Sequence, residues 1–289
     1  MKRTSLLVCY SSSEEDEKEK PALSFPLTKP PTKRRKLPPL AETIAALPPV
    51  DNPALHQGRT RNVPHVEGQY AAHVYVSITL RESSPLYQLV KDVFHDAKKQ
   101  VPSLQEISKL DTGRYELHIS LSRPIFLRAH QREELRQAVR NVTREQAPFT
   151  VSFASFSELV NDEKTRTFLA IEIGAGHNEL KTLSDALAPA LQAIRQKGYY
   201  EKPRFHASVA WALLTPSSNN GRDSLPRSES ELSSETSEFP TIDRLPETLL
   251  STLDEKYRPS LTSSRIGAFE VAEITVKIGK DVSTFRLKV

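Results

Sequence analysis

The chain has 289 residues, enough for one large or two small domains, but 21 prolines and several Ser/Glu-rich runs keep much of it out of any packed core. The 40 Lys and Arg against 36 Asp and Glu leave a formal net charge of +4, a basic excess that favours acidic partners without identifying a nucleic-acid binder. The single cysteine, Cys9, excludes an internal disulfide framework and any cysteine-based zinc site, and no apolar run approaches the roughly 18 residues a membrane span needs. With Ser5–Tyr10 too short for a secretory signal core, the expectation is a soluble, non-secreted protein of a reducing compartment, with no membrane partner.

Residues 1–60 combine an acidic Ser/Glu block (Ser11–Glu19), a Pro-rich stretch and the basic cluster Lys33-Arg34-Arg35-Lys36. Such a composition buries too little apolar surface to offset chain entropy, so a disordered tail is expected, followed by a folded domain over 61–289. The tetrad reads either as a nuclear localisation signal, which would place the protein in the nucleus, or as a solvated charge run. From Tyr70 the texture changes, and the β-branched and aromatic run Ala72–Leu80 predicts a buried strand. Ser84-Pro85 then supplies an N-cap and a first helical position, with Leu86, Leu89, Val90, Val93, Phe94 and Ala97 following at helical spacing. A strand over Tyr115–Ser122 comes next. A second helix starts at about His130, with Leu135, Ala138, Val139 and Val142 on one face.

Val151–Leu159 and Thr167–Ile173 predict a hairpin around the polar turn Asn161–Lys164. A third helix carries Leu180, Leu183, Leu187, Leu191 and Ile194, and Pro189 inside it is expected to kink or split it. A strand over Phe205–Leu213 follows, and then a Ser/Glu/Asn-rich stretch, residues 216–240, expected to be a disordered insertion. A helix from Ile242 to about Tyr257 and two strands, Phe269–Ile278 and Val282–Val289, close the chain around the turn Gly279-Lys280-Asp281. The order strand, helix, strand thus occurs twice.

Each of those two units ends in the same pattern: His118-Ile119-Ser120 and His206-Ala207-Ser208, 88 residues apart. Strand side chains alternate faces, so each pattern puts imidazole and hydroxyl on one face, about 7 Å apart, with the apolar residue between them on the other. Imidazole titrates near pH 6.5, so one histidine can accept a proton while the other donates one. The hydroxyls can hold the nonbridging oxygens of a phosphate through an in-line displacement, and the set needs no metal and no cofactor. One His-x-Ser alone is an ordinary strand fragment. Two copies on amphipathic strands, at equivalent points of a repeated order, are a candidate phosphate site. Of the other histidines, His73 reads as a core or supporting group rather than a ligand, and His95 and His130 fall on predicted helices. His56, His65 and His177 lie in predicted loops without metal-site spacing. Tyr199-Tyr200, just before the second motif, either packs structurally or stacks on a nucleobase.

The paired His-x-Ser strands resemble those of the 2H phosphoesterase family. Three stretches are similar to its branch that processes U6 snRNA: Arg59–Gly68 leading into Ala72–Val76, then Glu116–Ser122, then Phe205–Trp211. The Pro-His-x-x-Gly entry (Pro64, His65, Gly68) and the Ala-Trp pair at Ala210-Trp211 carry that narrower likeness, which spans residues 58–214 and again 271–287. The resemblance implies an α+β, bilobal fold of two pseudo-symmetric antiparallel sheets with flanking helices around a central cleft. It implies a monomer acting on RNA as a metal-independent 3′→5′ exoribonuclease that trims the oligouridine tail of U6 snRNA and leaves a 2′,3′-cyclic phosphate. His118 and His206 would be the acid/base pair, Ser120 and Ser208 the phosphate binders, and Tyr200 the stacking residue. The alternatives are another 2H activity, cyclic phosphodiesterase or RNA ligase, and a non-catalytic RNA-binding module; which histidine is the base stays open.

Overall fold

The run of β-branched and aromatic residues after Gly68 forms β1 (Gln69–Leu80), whose alternate residues Ala72, Val74, Val76, Ile78 and Leu80 are buried. This computed structural model describes residues 52–59, 66–107, 115–216 and 239–288, all within the unit Pro48–Val289. Residues 1–51 of the expected tail, with the basic cluster 33–36, and residues 217–238 of the expected insertion lie outside the described residues, whereas 52–59, expected in the tail, include a 3-10 turn at Pro53–His56 capped by Asn52.

Helix α1 (Pro85–Gln100) starts as its sequence dictates: Ser84 Oγ accepts the Tyr87 amide at 3.2 Å, and Pro85, lacking an amide hydrogen, occupies the first turn. After the two-residue β2 (Gln105–Glu106), β3 (Tyr115–Ser120) and β4 (Ile125–Arg128) both pair with β1. Helix α2 (Gln131–Glu145) buries Leu135, Val139 and Thr143. The predicted hairpin is present as β5 (Phe149–Val160) and β6 (Arg166–Ile173), and Asn161 builds its turn by accepting the Thr165 and Arg166 amides, both at 2.9 Å. Helix α3 (His177–Ala193) runs through Pro189 without the expected break. Pro189 and Asp185, whose carbonyl loses its helical donor, both lie on the exposed face, where water can serve that carbonyl. His177, expected in a loop, opens this helix.

Strand β7 (His206–Leu214) is followed by β8 (Thr241–Ile242), so Ile242 belongs to a strand and not to the helix expected from it. Helix α4 begins only at Glu247 and ends at Leu261. Pro246 holds Leu245 away from helical geometry and itself adopts φ −60°, ψ 134°. The expected strand 269–278 is two strands, β9 (Ala268–Val271) and β10 (Glu273–Ile278), and β11 (Asp281–Arg286) returns after the turn at Gly279.

The class is α+β. The main sheet path is β11-β10-β1-β3-β7-β6-β5-β9, with β2, β4 and β8 as side branches. It divides into two halves of four strands that meet where β3 and β7 pair, at Ile119 opposite Ala207. The two sheets implied by the resemblance are therefore halves joined at a seam. β9 pairs with β5 on one half and β10 with β1 on the other, so a single segment broken at Ala272 ties both halves together. Among the helices, α1 packs on α4 and α2 on α3, closing a core that includes Val93, Leu104, Leu135, Leu187, Val209 and Leu249, each at most 1% exposed. Each such side chain contributes about 1.5–3 kcal/mol on removal from water.

Candidate active site

The seam places the two motifs. β3 and β7 run antiparallel with Ile119 opposite Ala207, both fully buried. Continuing that register by one residue in each direction sets His118 across from Ser208 and Ser120 across from His206. Core packing fixes this facing: Leu117, Ile119 and Leu121 are wholly buried, so the alternate residues His118 and Ser120 must point the other way. All four line one cleft of about 620 Å³, a volume suited to a small ligand or the end of a chain. Tyr200 lines the same cleft, so the five candidate site residues, His118, Ser120, Tyr200, His206 and Ser208, are brought together.

The two histidines differ in their surroundings. Burial, reinforced by the neighbouring His206 and Lys277 charges, pushes His118 down to about 4 and favours its neutral form. Its ring meets those of His73 and Tyr75 edge-on, with centroids at 5.4 and 5.6 Å. Burial lowers His206 as well, but the Arg204 carbonyl, 2.6 Å from Nδ1, and the Glu172 carboxylate oppose the shift. A carbonyl can only accept, so Nδ1 carries hydrogen and Nε2 is the atom left to exchange a proton in the cleft. Glu172 pairs with His206 across β6 and β7 and also takes the Arg204 Nε–H at 2.9 Å.

The hydroxyls also differ. Ser208 is 8% exposed and its hydroxyl makes no hydrogen bond with the described residues, which leaves its proton for a ligand. Ser120 Oγ lies 3.0 Å from His73 Nε2. Ser122, on the same alternation, is instead structural: its hydroxyl oxygen accepts the Val74 amide at 3.0 Å, where β3 has ended and the Leu121 and Ser122 amides both donate to the Val74 carbonyl.

At the rim the tyrosine pair divides its roles. Tyr199 stacks on Phe205 at 5.6 Å and packs inward. Tyr200 is 38% exposed; its hydroxyl donates to Asp162 Oδ1 at 2.8 Å, and the Arg123 guanidinium lies 3.9 Å from its ring centroid. Arg123 Nη1 donates to Asp162 Oδ2 at 2.9 Å, completing a clamp that holds the tyrosine ring.

Sequence reasoning missed Arg123, Asp162 and Lys277, all of which line the cleft. Lys277 arrives from β10, paired opposite His73 on β1, a relation that nothing local announces. Trp211 also departs from simple alternation. A register shift between Leu169 and Ala170 pairs Trp211 with the cleft-lining Phe168, so the strand's faces exchange beyond Ser208. Among the described residues no group of three or more His, Cys, Asp or Glu is placed to hold a metal ion, and no helix is long and apolar enough to cross a membrane.

Two His-x-Ser strands facing one cleft across a seam agree with the resemblance read from the sequence. A family model described as HVSL, an uncharacterised conserved protein, matches residues 35–286. U6 snRNA phosphodiesterase 1 of Xenopus laevis is 30% identical over 211 residues, spanning 72% of this chain and 79% of that protein. The Mus musculus protein of the same name is 30% identical over 223 residues, with the same two shares. The structure of Kluyveromyces marxianus Usb1 aligns at 16% identity and TM-score 0.47, over 75% of this chain and 98% of that one. The chain belongs to the HVSL family and is a homologue of U6 snRNA phosphodiesterase 1.

Proposed function

We propose that the cleft is the active site of an RNA phosphodiesterase that trims the 3′ end of U6 snRNA. The observation that carries this reading is the reciprocal placement of His118, Ser208, Ser120 and His206 about the seam. It brings two proton-transfer groups and two hydroxyls around the space of one phosphodiester. The names of the relatives supply the substrate class.

His118, kept neutral, takes the proton from the 2′-hydroxyl of the penultimate nucleotide, and that oxygen attacks its own 3′ phosphorus. The bond from phosphorus to the 5′ oxygen of the terminal nucleoside breaks in line, and His206, entering the step in its protonated form with Nδ1–H on the Arg204 carbonyl, gives its Nε2 proton to the departing oxygen. Ser120 and Ser208 hold the nonbridging oxygens while charge builds there. The products are an RNA ending in a 2′,3′-cyclic phosphate and a free nucleoside. Tyr200, steadied by Arg123 and Asp162, offers a ring for the terminal base, in a loop just before His206. One chain supplies both motifs, which suits a monomer, and the Lys33–Lys36 cluster supports a nuclear place of work.

Sulfur substitution at the leaving group tests the division of labour. A 5′-phosphorothiolate linkage has a leaving group that needs no acid, so it should restore cleavage by the His206→Ala protein but not by His118→Ala. Rescue of His118→Ala alone would reverse the two roles. Cleavage of all-oxygen oligouridine by both variants at the wild-type rate would sink the reading. A substrate with 2′-deoxy at the penultimate position should resist cleavage, and end-group analysis of trimmed 3′-hydroxyl oligouridine in chelator should give a cyclic phosphate.

A further inference from the structure

The cleft holds a third histidine, which the proton transfers do not use. His73 lies on β1 facing the cleft, two residues before Tyr75, the direct cross-strand partner of Ser120. Its Nε2 reaches diagonally to Ser120 Oγ at 3.0 Å. The ring is fixed on both sides, stacked on Tyr75 with centroids 5.1 Å apart and 24° between planes, and edge-on to His118 at 5.4 Å. Among the described residues the polar contact of this side chain is a hydroxyl assigned to the phosphate.

A seryl hydroxyl has one proton. If Ser120 spends it on His73 it has none for a phosphate oxygen; if His73 donates instead, the Ser120 oxygen accepts and its proton is free to point into the cleft. We propose that His73 is a positioning residue that donates its Nε2–H to Ser120 Oγ and so aims the Ser120 hydroxyl at the nonbridging phosphate oxygen. The assignment rests on the reading of Ser120 as a phosphate binder. It requires a neutral ring that does not exchange protons during turnover. Burial, with the His118 and Lys277 charges adding to it, pushes His73 down to about 3, which supplies that condition. Ser208 has no such partner among the described residues, so there the two hydroxyls of the pseudo-symmetric site are not equivalent.

Glutamine and asparagine separate this role from packing, because the glutamine amide nitrogen can occupy the place of imidazole Nε2 and the shorter asparagine amide cannot. Direct removal of one oxyanion donor costs 10²–10³ in kcat, so losing only its aim should cost about tenfold or somewhat more. His73→Asn and His73→Phe should lower kcat on oligouridine by about that factor with KM little changed, and His73→Gln should restore most of it. In a Ser120→Ala background, His73→Asn should cause no further loss, because the hydroxyl it aims is gone. Equal activity of the Gln and Asn proteins, or losses that multiply in the double variant, would overturn the assignment, and this comparison stands even if His73→Phe fails to fold. Ser120→Ala cleaving as fast as wild type would instead show that the phosphate-binder reading had failed, and His73 with it.

Discussion

At His118, burial and two neighbouring positive charges favour the neutral ring, whereas at His206 a carbonyl 2.6 Å from Nδ1 and the Glu172 carboxylate work against the same burial. The free enzyme's kcat/KM should therefore be bell-shaped. It falls on the acid side as His118 takes up a proton near pH 4, and on the alkaline side as His206 loses its proton below the ordinary imidazole value of 6.5. Glu172→Gln removes an influence that raises His206, so its alkaline limb should move to lower pH; a limb that stays in place would deny Glu172 this role. Folding stability responds to the same groups with a definite sign. His73 and His118 have depressed values in the folded chain, so stability present above pH 6.5 is lost as pH falls towards about 4, because the unfolded chain takes up protons that the native rings refuse. The slope is at most about 1.4 kcal/mol per pH unit for each ring. Urea midpoints at pH 7.5, 6.0 and 5.0 should fall less steeply for His73→Gln than for the parent.

Elements whose signals are local are found where the sequence puts them, and their ends show why. The Ser84 cap of α1 is read directly from Ser-Pro before a 3.6-residue apolar period, and Ser84→Ala should cost about 1 kcal/mol in equilibrium unfolding. Asn161, whose Oδ1 gathers two amides, makes the β5–β6 turn for the same kind of reason. Gly267 obeys a constraint that no propensity reveals: a Cβ there would stand 1.5 Å from the Leu261 carbonyl oxygen at the end of α4. Gly267→Ala should destabilise by more than about 2 kcal/mol, since backbone must move to admit it, and an unchanged Tm would contradict this packing. The departures are equally specific. Pro189 was expected to interrupt α3 but lies on its solvent face, and the α4 start shifts past Ile242 because Pro246 excludes helix from Leu245. The 269–278 strand divides at Ala272 because its two parts pair with opposite halves of the sheet, a long-range demand.

Across the whole molecule, the segment from β9 to β10 ties the two halves and carries Lys277 to the cleft, where Arg123, Lys202 and Arg204 also stand. These cations face a substrate with one negative charge per nucleotide. Lys277→Gln should weaken RNA binding across sequences and reduce the salt slope of log Kd by about 0.7, the value for one phosphate contact on a single strand. A slope unchanged from wild type would remove Lys277 from the RNA path. By itself the amino-acid sequence determined the two His-x-Ser faces, since a strand's two-residue period is a property of the chain alone, and with them a candidate phosphate site. It likewise determined most of the helices and the hairpin, through caps, turns and apolar spacing. Only the tertiary structure decided that Ile119 sits opposite Ala207, that His73 reaches Ser120, and that Arg123, Asp162 and Tyr200 form one clamp. It alone placed Lys277 beside His73 and turned Trp211 toward Phe168. These contacts join residues tens to hundreds of positions apart, and strand register, fixed by burial of the whole sheet's apolar face, is what selects them.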